Sequence, residues 1–77
     1  MIYKKFAELI KEKRIKMNIS QKDMAFLIPL KASKYNKIEN GKQEPSFFEL
    51  GRICQILNIN INEIFKLKKE TSTKYYD

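Results

Sequence analysis

Apolar residues recur along this chain at three- and four-residue intervals, the spacing of one face of an α-helix. The pattern predicts five helices and no strand. The first runs from about Tyr3 to Met17, with Phe6, Leu9, Ile10 and Met17 on one side and lysines between them. Asn18 suits its end, because asparagine tolerates the left-handed conformation. Ser20 is an N-cap residue for a second helix, and Asp23 favours the positive helix end. Met24, Ala25 and Ile28 form its inner face. Pro29 closes it, since proline lacks the N–H for the ladder and disfavours a helical Ile28. A third helix spans about Ala32 to Glu39 and stops at Asn40-Gly41. After a loop over 42–45, Ser46 and Glu49 form a capping box for the fourth helix. Phe47, Leu50, Ile53, Cys54 and Leu57 mark its apolar face. Asn60 caps a short fifth helix, with Glu63 three residues on and Ile61, Ile64, Phe65 and Leu67 as its apolar residues. Residues 70–77 are polar apart from Tyr75 and Tyr76, and are expected to be a loose tail on a single domain spanning 1–69.

A chain of 77 residues holds one domain, and so small a core leans on packed helices, a disulfide, a metal or a partner chain. One cysteine, Cys54, rules out a disulfide within the chain, and the lack of histidine rules out cysteine–histidine zinc sites. Helix packing with dimerisation remains. Nothing resembles catalytic machinery: the acidic residues do not cluster as metal ligands, and the two glycines are too isolated for a phosphate loop. Cys54 on an apolar face has no base to activate it. The chain is therefore expected not to be an enzyme and to need no metal or cofactor. The net charge of +7 suits an anionic partner, nucleic acid or a membrane surface, or serves solubility alone. No apolar run is long enough to span a bilayer, and Glu8, Lys11 and Glu12 interrupt any signal-peptide core, so a cytoplasmic protein without membrane association is expected.

Between Ser20 and Gly41 lie two short helices joined by a tight turn, the helix-turn-helix layout. Ile19-Ser20-Gln21-Lys22-Asp23-Met24-Ala25 resembles the pattern Leu-Ser-Gln-x-x-Leu-Ala. Ile38-Glu39-Asn40-Gly41-Lys42 followed by Pro45-Ser46 resembles Ile-Glu-x-Gly-x…Pro-Ser, in register with the first block. Arg14 and the apolar rhythm of Leu50, Ile53, Leu57, Ile59, Ile64 and Phe65 fit the same scheme. Over roughly Phe6 to Phe65 the chain resembles the Cro and phage-repressor family, also called the xenobiotic-response-element (XRE) family. That resemblance implies an all-α, five-helix, lambda-repressor-like DNA-binding domain.

The resemblance also implies roles. Gln21, at the start of the second helix, stands where the family bonds a DNA phosphate, and Lys31, Lys34, Asn40 and Lys42 extend that set. Ala32, Ser33 and Lys37 stand where the family reads base edges. Asn36 joins them, because 33, 36 and 37 share one helix face. Lysine donates to guanine and asparagine pairs with adenine, although the same residues also make an ordinary solvated face. Arg14 and Glu39 match an internal ion pair, worth about 3–5 kcal/mol if buried and about 0–1 kcal/mol if exposed. Tyr35 and Ile38 should point inward, leaving the Tyr35 hydroxyl to find an internal partner or a phosphate.

The sequence departs from the family in four places. Pro29 stands where glycine is usual in the turn, and Lys31 replaces a serine or threonine cap. Phe26 and Leu27 replace charged residues, filling a local core or forming a contact surface. Cys54 replaces alanine as a small apolar residue. The implied function is a transcription regulator binding double-stranded operator DNA with two-fold symmetry as a homodimer, with half-sites about 34 Å apart. Ile61, Ile64, Phe65 and Leu67 are the expected dimer interface, or else they close the monomer's own core. Against this stands an antitoxin-like module that binds a protein partner, and DNA only secondarily.

Overall fold

The computed structural model describes residues 2–60, 62–64 and 66. Four helices follow one another: α1 (Ile2–Lys16), α2 (Gln21–Leu27), α3 (Ala32–Glu39) and α4 (Phe47–Leu57). Residues 62–64 are again helical, and no strand occurs among the described residues. The fold is all-α. The helix starts follow from their caps. Ser20 Oγ accepts the Asp23 N–H at 3.0 Å. Ser46 Oγ accepts the Glu49 N–H, and the Glu49 carboxylate accepts the Ser46 N–H, which completes the expected capping box. Asn60 repeats the motif: its side-chain oxygen accepts the Asn62 N–H and its own N–H donates to Glu63. Lys31 precedes α3 with no side-chain cap bond, as its replacement of serine or threonine suggests.

Three helices end on one device. A left-handed residue turns the chain back so that two late N–H groups reach carbonyls of the last turn. Asn18 (φ 59°) does this after α1, where Asn18 and Ile19 donate to Ile15 and Arg14. Gly41 (φ 73°) does it after α3, where Gly41 and Lys42 donate to Ile38 and Lys37. Asn58 (φ 55°) does it after α4, where Ile59 donates to Cys54. The end of α2 keeps only half of the device. Leu30 donates to Ala25 at 2.6 Å, but Pro29 has no N–H for the inner bond. The Ile28–Pro29 peptide bond is cis. Ile28 is helical although Pro29 disfavours that conformation for it. Ile28 keeps φ −70° and ψ −37°, and its N–H still donates to Met24. Its side chain is wholly buried, so tertiary packing overrides the local preference.

The core draws on every helix. Phe6 and Ile10 from α1, Met24 and Ala25 from α2, Tyr35 and Ile38 from α3, and Ile53 and Leu57 from α4 form one cluster with Ile28 and Ile59. Leu9, Leu50 and Cys54 pack against this cluster, whereas two expected core residues do not. Met17 follows the last turn of α1 and is half exposed. Phe47 shares a stripe with Leu50 by spacing, yet it is 90% exposed. It is the first residue of α4, and no neighbouring element covers that end among the described residues. Phe26 is also exposed, so it forms surface rather than a local core. No described helix is long and apolar enough to cross a membrane.

Candidate nucleic-acid interface

α2 and α3 pack against each other, and the shape of α3 decides what it can present. Tyr35, Ile38 and Glu39 form its buried face. Ala32, Ser33, Asn36 and Lys37 lie on the opposite side, and all four are exposed. The four expected base-contacting residues therefore share one open face of a helix whose back is fixed in the core. Lys31, Asn40 and Lys42 flank this face and are exposed as well.

What fixes the back of α3 is a carboxylate with four donors. Arg14 Nε reaches Glu39 Oε2 at 2.8 Å, and Arg14 Nη2 reaches Oε1 at 2.9 Å. Gln21 Nε2 donates to Oε1 at 3.0 Å, and the Tyr35 hydroxyl donates to Oε2. The third arm of the guanidinium, Nη1, donates to the Ile19 carbonyl at 2.7 Å. One side chain thus ties α1, α2 and α3 together. The Glu39 side chain is 0% exposed and that of Arg14 12%, so the pair is largely out of water. Every buried polar side-chain atom among the described residues has a partner. Burial works to raise the Glu39 pKa, but the bonds from Arg14, Tyr35 and Gln21 outweigh it and hold the carboxyl below its usual range. Burial and the adjacent carboxylate push the Tyr35 hydroxyl far above its usual range, so it remains a donor. Its partner is Glu39, which leaves the buried hydroxyl turned away from any phosphate at the surface.

The network continues outward. Gln21 Oε1 accepts from Asn36 Nδ2 at 3.0 Å, and Asn36 Oδ1 accepts from Asn40 Nδ2 at 3.1 Å. A path of hydrogen bonds therefore leads from the buried carboxylate to the exposed face of α3. Gln21 spends its carbonyl and one N–H on protein groups, and its second N–H is the part that can reach outward. Lys34 has a partner that the sequence does not signal. Its Nζ lies 2.8 Å from Glu49 Oε2 and joins α3 to α4. That bond holds the Glu49 carboxyl below its usual range, against burial. The separation of fifteen positions between Lys34 and Glu49 carries no periodic cue for the contact. Of the expected dimer residues, Ile64 is half-buried and packs on the core. Ile61, Phe65 and Leu67 lie outside the described residues, as do Tyr75 and Tyr76.

The depressed Glu39 carboxyl makes stability depend on pH in a defined direction. A group with a lowered folded pKa stabilises the fold fully above the unfolded value, and that contribution fades as pH falls through the folded value. Glu39 and Glu49 act in the same sense. The thermal midpoint should be level near neutrality and fall below about pH 5, where unfolded carboxylates begin to bind protons. A Glu39→Gln variant should show a weaker fall over the same range. Parallel pH profiles for the two proteins would contradict a depressed Glu39.

The sequence that builds this arrangement has known relatives. A family profile described as helix-turn-helix matches residues 10–64. The chain is also 36% identical over 59 residues to a protein of Bacillus phage phi105, the ImmF control region 10 kDa protein. The matched segment covers 77% of this chain and 66% of that protein's length. The cap at Ser20, the buried Glu39 bound to Arg14, the left-handed Gly41 and the open face of α3 all fall within the matched region. The chain belongs to the helix-turn-helix family, of the Cro and phage-repressor (XRE) type.

Proposed function

We propose that this protein is a DNA-binding transcription regulator that reads a two-fold-symmetric operator as a homodimer. The observation that carries the reading is α3 itself. Its inner face is locked by Glu39, and its outer face offers Ala32, Ser33, Asn36 and Lys37 together. A rigid helix with a polar face of this kind suits the major groove, where base edges present distinct donor and acceptor patterns. Lys37 supplies donors for guanine O6 and N7. Asn36 suits adenine, although its amide must exchange part of its bonding with Gln21 and Asn40. Gln21, Lys31, Asn40 and Lys42 border this face and would hold the sugar-phosphate chain. The phage control-region relative supports a regulatory role, and a cytoplasmic location accompanies it.

Selection from a random DNA pool tests the proposal. The expected motif is two-fold symmetric, with half-sites about 34 Å apart, one turn of B-DNA. Lys37→Ala and Ser33→Ala should relax or change preference at matching positions in both half-sites, by about 1–3 kcal/mol for a lost bidentate contact. Enrichment of no motif would remove the proposal. The exposed Phe26, Phe47 and Phe48 favour a second reading, an antitoxin-like module with a protein partner. Recovery of a stoichiometric heteromeric partner from the native host would support it.

A further inference from the structure

We infer that Glu39, buried and out of reach of DNA, sets which way round Asn36 presents its side-chain amide, and so on which strand of an A·T pair Asn36 finds adenine. The inference rests on the operator reading above and adds a positioning residue to it. The Glu39 side chain is 0% exposed, and Arg14 holds both of its oxygens. An ionised carboxylate only accepts hydrogen bonds. Gln21 must therefore face it with the amide nitrogen, and Nε2 donates to Glu39 Oε1 at 3.0 Å. The Gln21 carbonyl is left for Asn36, and a carbonyl also only accepts. Asn36 thus turns Nδ2 toward Gln21, at 3.0 Å. Asn36 Oδ1 then faces the end of α3, where it accepts from Asn40 Nδ2 at 3.1 Å. An amide's two ends are nearly equal in size, so shape alone does not choose between them. The direction of this chain comes from the carboxylate at its head.

Direction matters because adenine presents an ordered pair of groups. Its major-groove edge carries the N7 acceptor beside the N6 amino donor, and an asparagine matches them with its N–H and its carbonyl. When adenine moves to the opposite strand, that order along the groove reverses. An amide free to turn over pairs with adenine on either strand, whereas a directed amide pairs with it on one. Asn36 is exposed and has capacity left for the contact: a second N–H on its nitrogen and a second lone pair on its oxygen. The bond that carries the direction is the one to Gln21, so the bond to Asn40 is the part that can yield to DNA. The head of the chain stays still, because the Tyr35 hydroxyl and two guanidinium nitrogens of Arg14 also hold the carboxylate.

Fluorescence anisotropy of the full chain on single-pair variants of the selected operator tests this. Asn36→Ala locates the pair that Asn36 reads, as the one whose preference it abolishes. At that pair the wild type should favour A·T in one orientation over the reverse by about tenfold or more. Gln21→Met interrupts the chain and leaves Arg14 on Glu39. It should lower the orientation ratio to about twofold or less, while A·T and T·A both remain better than G·C. Glu39→Gln offers a donor as well as an acceptor and should do the same. Circular dichroism of each variant checks that the helices persist at the temperature of measurement. A role confined to a phosphate, or to holding the fold, weakens binding to every duplex alike. An orientation ratio unchanged in Gln21→Met would therefore overturn the inference and leave the operator reading standing. If Gln21→Met lowers the ratio and a folded Glu39→Gln does not, the assignment to Glu39 falls. So it does if no pair responds to Asn36→Ala, or if the responding pair is G·C. A wild-type chain with no preferred sequence removes the operator reading and this inference with it.

Discussion

Replacing Glu39 with alanine will destabilise the fold by about 3–5 kcal/mol, the range for removing one partner of a buried ion pair. The reason is what remains behind. Four donors converge on that carboxylate: two from Arg14, one from Gln21 and one from Tyr35. Without it, a largely buried guanidinium keeps only the Ile19 carbonyl, and a buried hydroxyl loses its acceptor. Both groups then bear their desolvation without compensation. A chain of this length has a total stability of about 4–12 kcal/mol, so the variant will lose at least about a quarter of it. Urea denaturation monitored by circular dichroism measures the loss. Arg14→Met combined with Glu39→Leu should recover most of it, because apolar replacements of similar volume remove the stranded charge along with its partner. If Glu39→Ala stays within about 1 kcal/mol of the wild type, the pair behaves as an exposed one and does not anchor α3.

The parts of this architecture that sequence could disclose are those governed by local rules. Ser20, Ser46 and Asn60 announce helix starts because a cap needs only a side-chain oxygen and a nearby N–H. Asn18 and Gly41 announce ends because few residues accept positive φ. The helix-turn-helix register of Gln21, Glu39 and Gly41 is likewise visible, through the resemblance of the two sequence blocks to the family pattern. What spacing cannot give is the choice among partners across elements. Lys34 carries a long stem whose partner the sequence does not name, and only the tertiary fold brings it to Glu49. The Tyr35 hydroxyl could turn either way until burial gives it to Glu39. Phe47 fits the apolar stripe of α4 perfectly well as a pattern. It fails as core because a stripe is buried only where another element lies over it, and α4 begins beyond that cover. The same limit applies at Pro29, whose local preference yields to the burial of Ile28.

Operator affinity will fall on the order of 10³-fold between about 50 and 200 mM salt if each protomer of a dimer neutralises three phosphates. Lysines at phosphates release condensed counterions on binding, and the slope of log affinity against log salt counts them at about 0.9 per phosphate. The structure separates the lysines that should count from one that should not. Lys31 and Lys42 are exposed beside the open face of α3. Lys34 is engaged with Glu49 at 2.8 Å, so its charge is already balanced within the fold. Lys42→Ala should therefore lower the slope by about two units in a two-fold complex, one for each copy, and by about one unit in a complex with a single chain. Lys34→Ala should leave the slope close to that of the wild type and lower stability instead, through loss of the tie to α4. Ser33→Ala removes no charge, so it should alter which sequences are preferred while the slope stays fixed. Fluorescence anisotropy with a short duplex across a salt series reads all of these directly. A Lys34→Ala slope that falls as far as that of Lys42→Ala would mean that Lys34 leaves Glu49 for the DNA backbone on binding. A Lys42→Ala change of one unit would restrict the complex to one protomer and remove the homodimer from the proposed function.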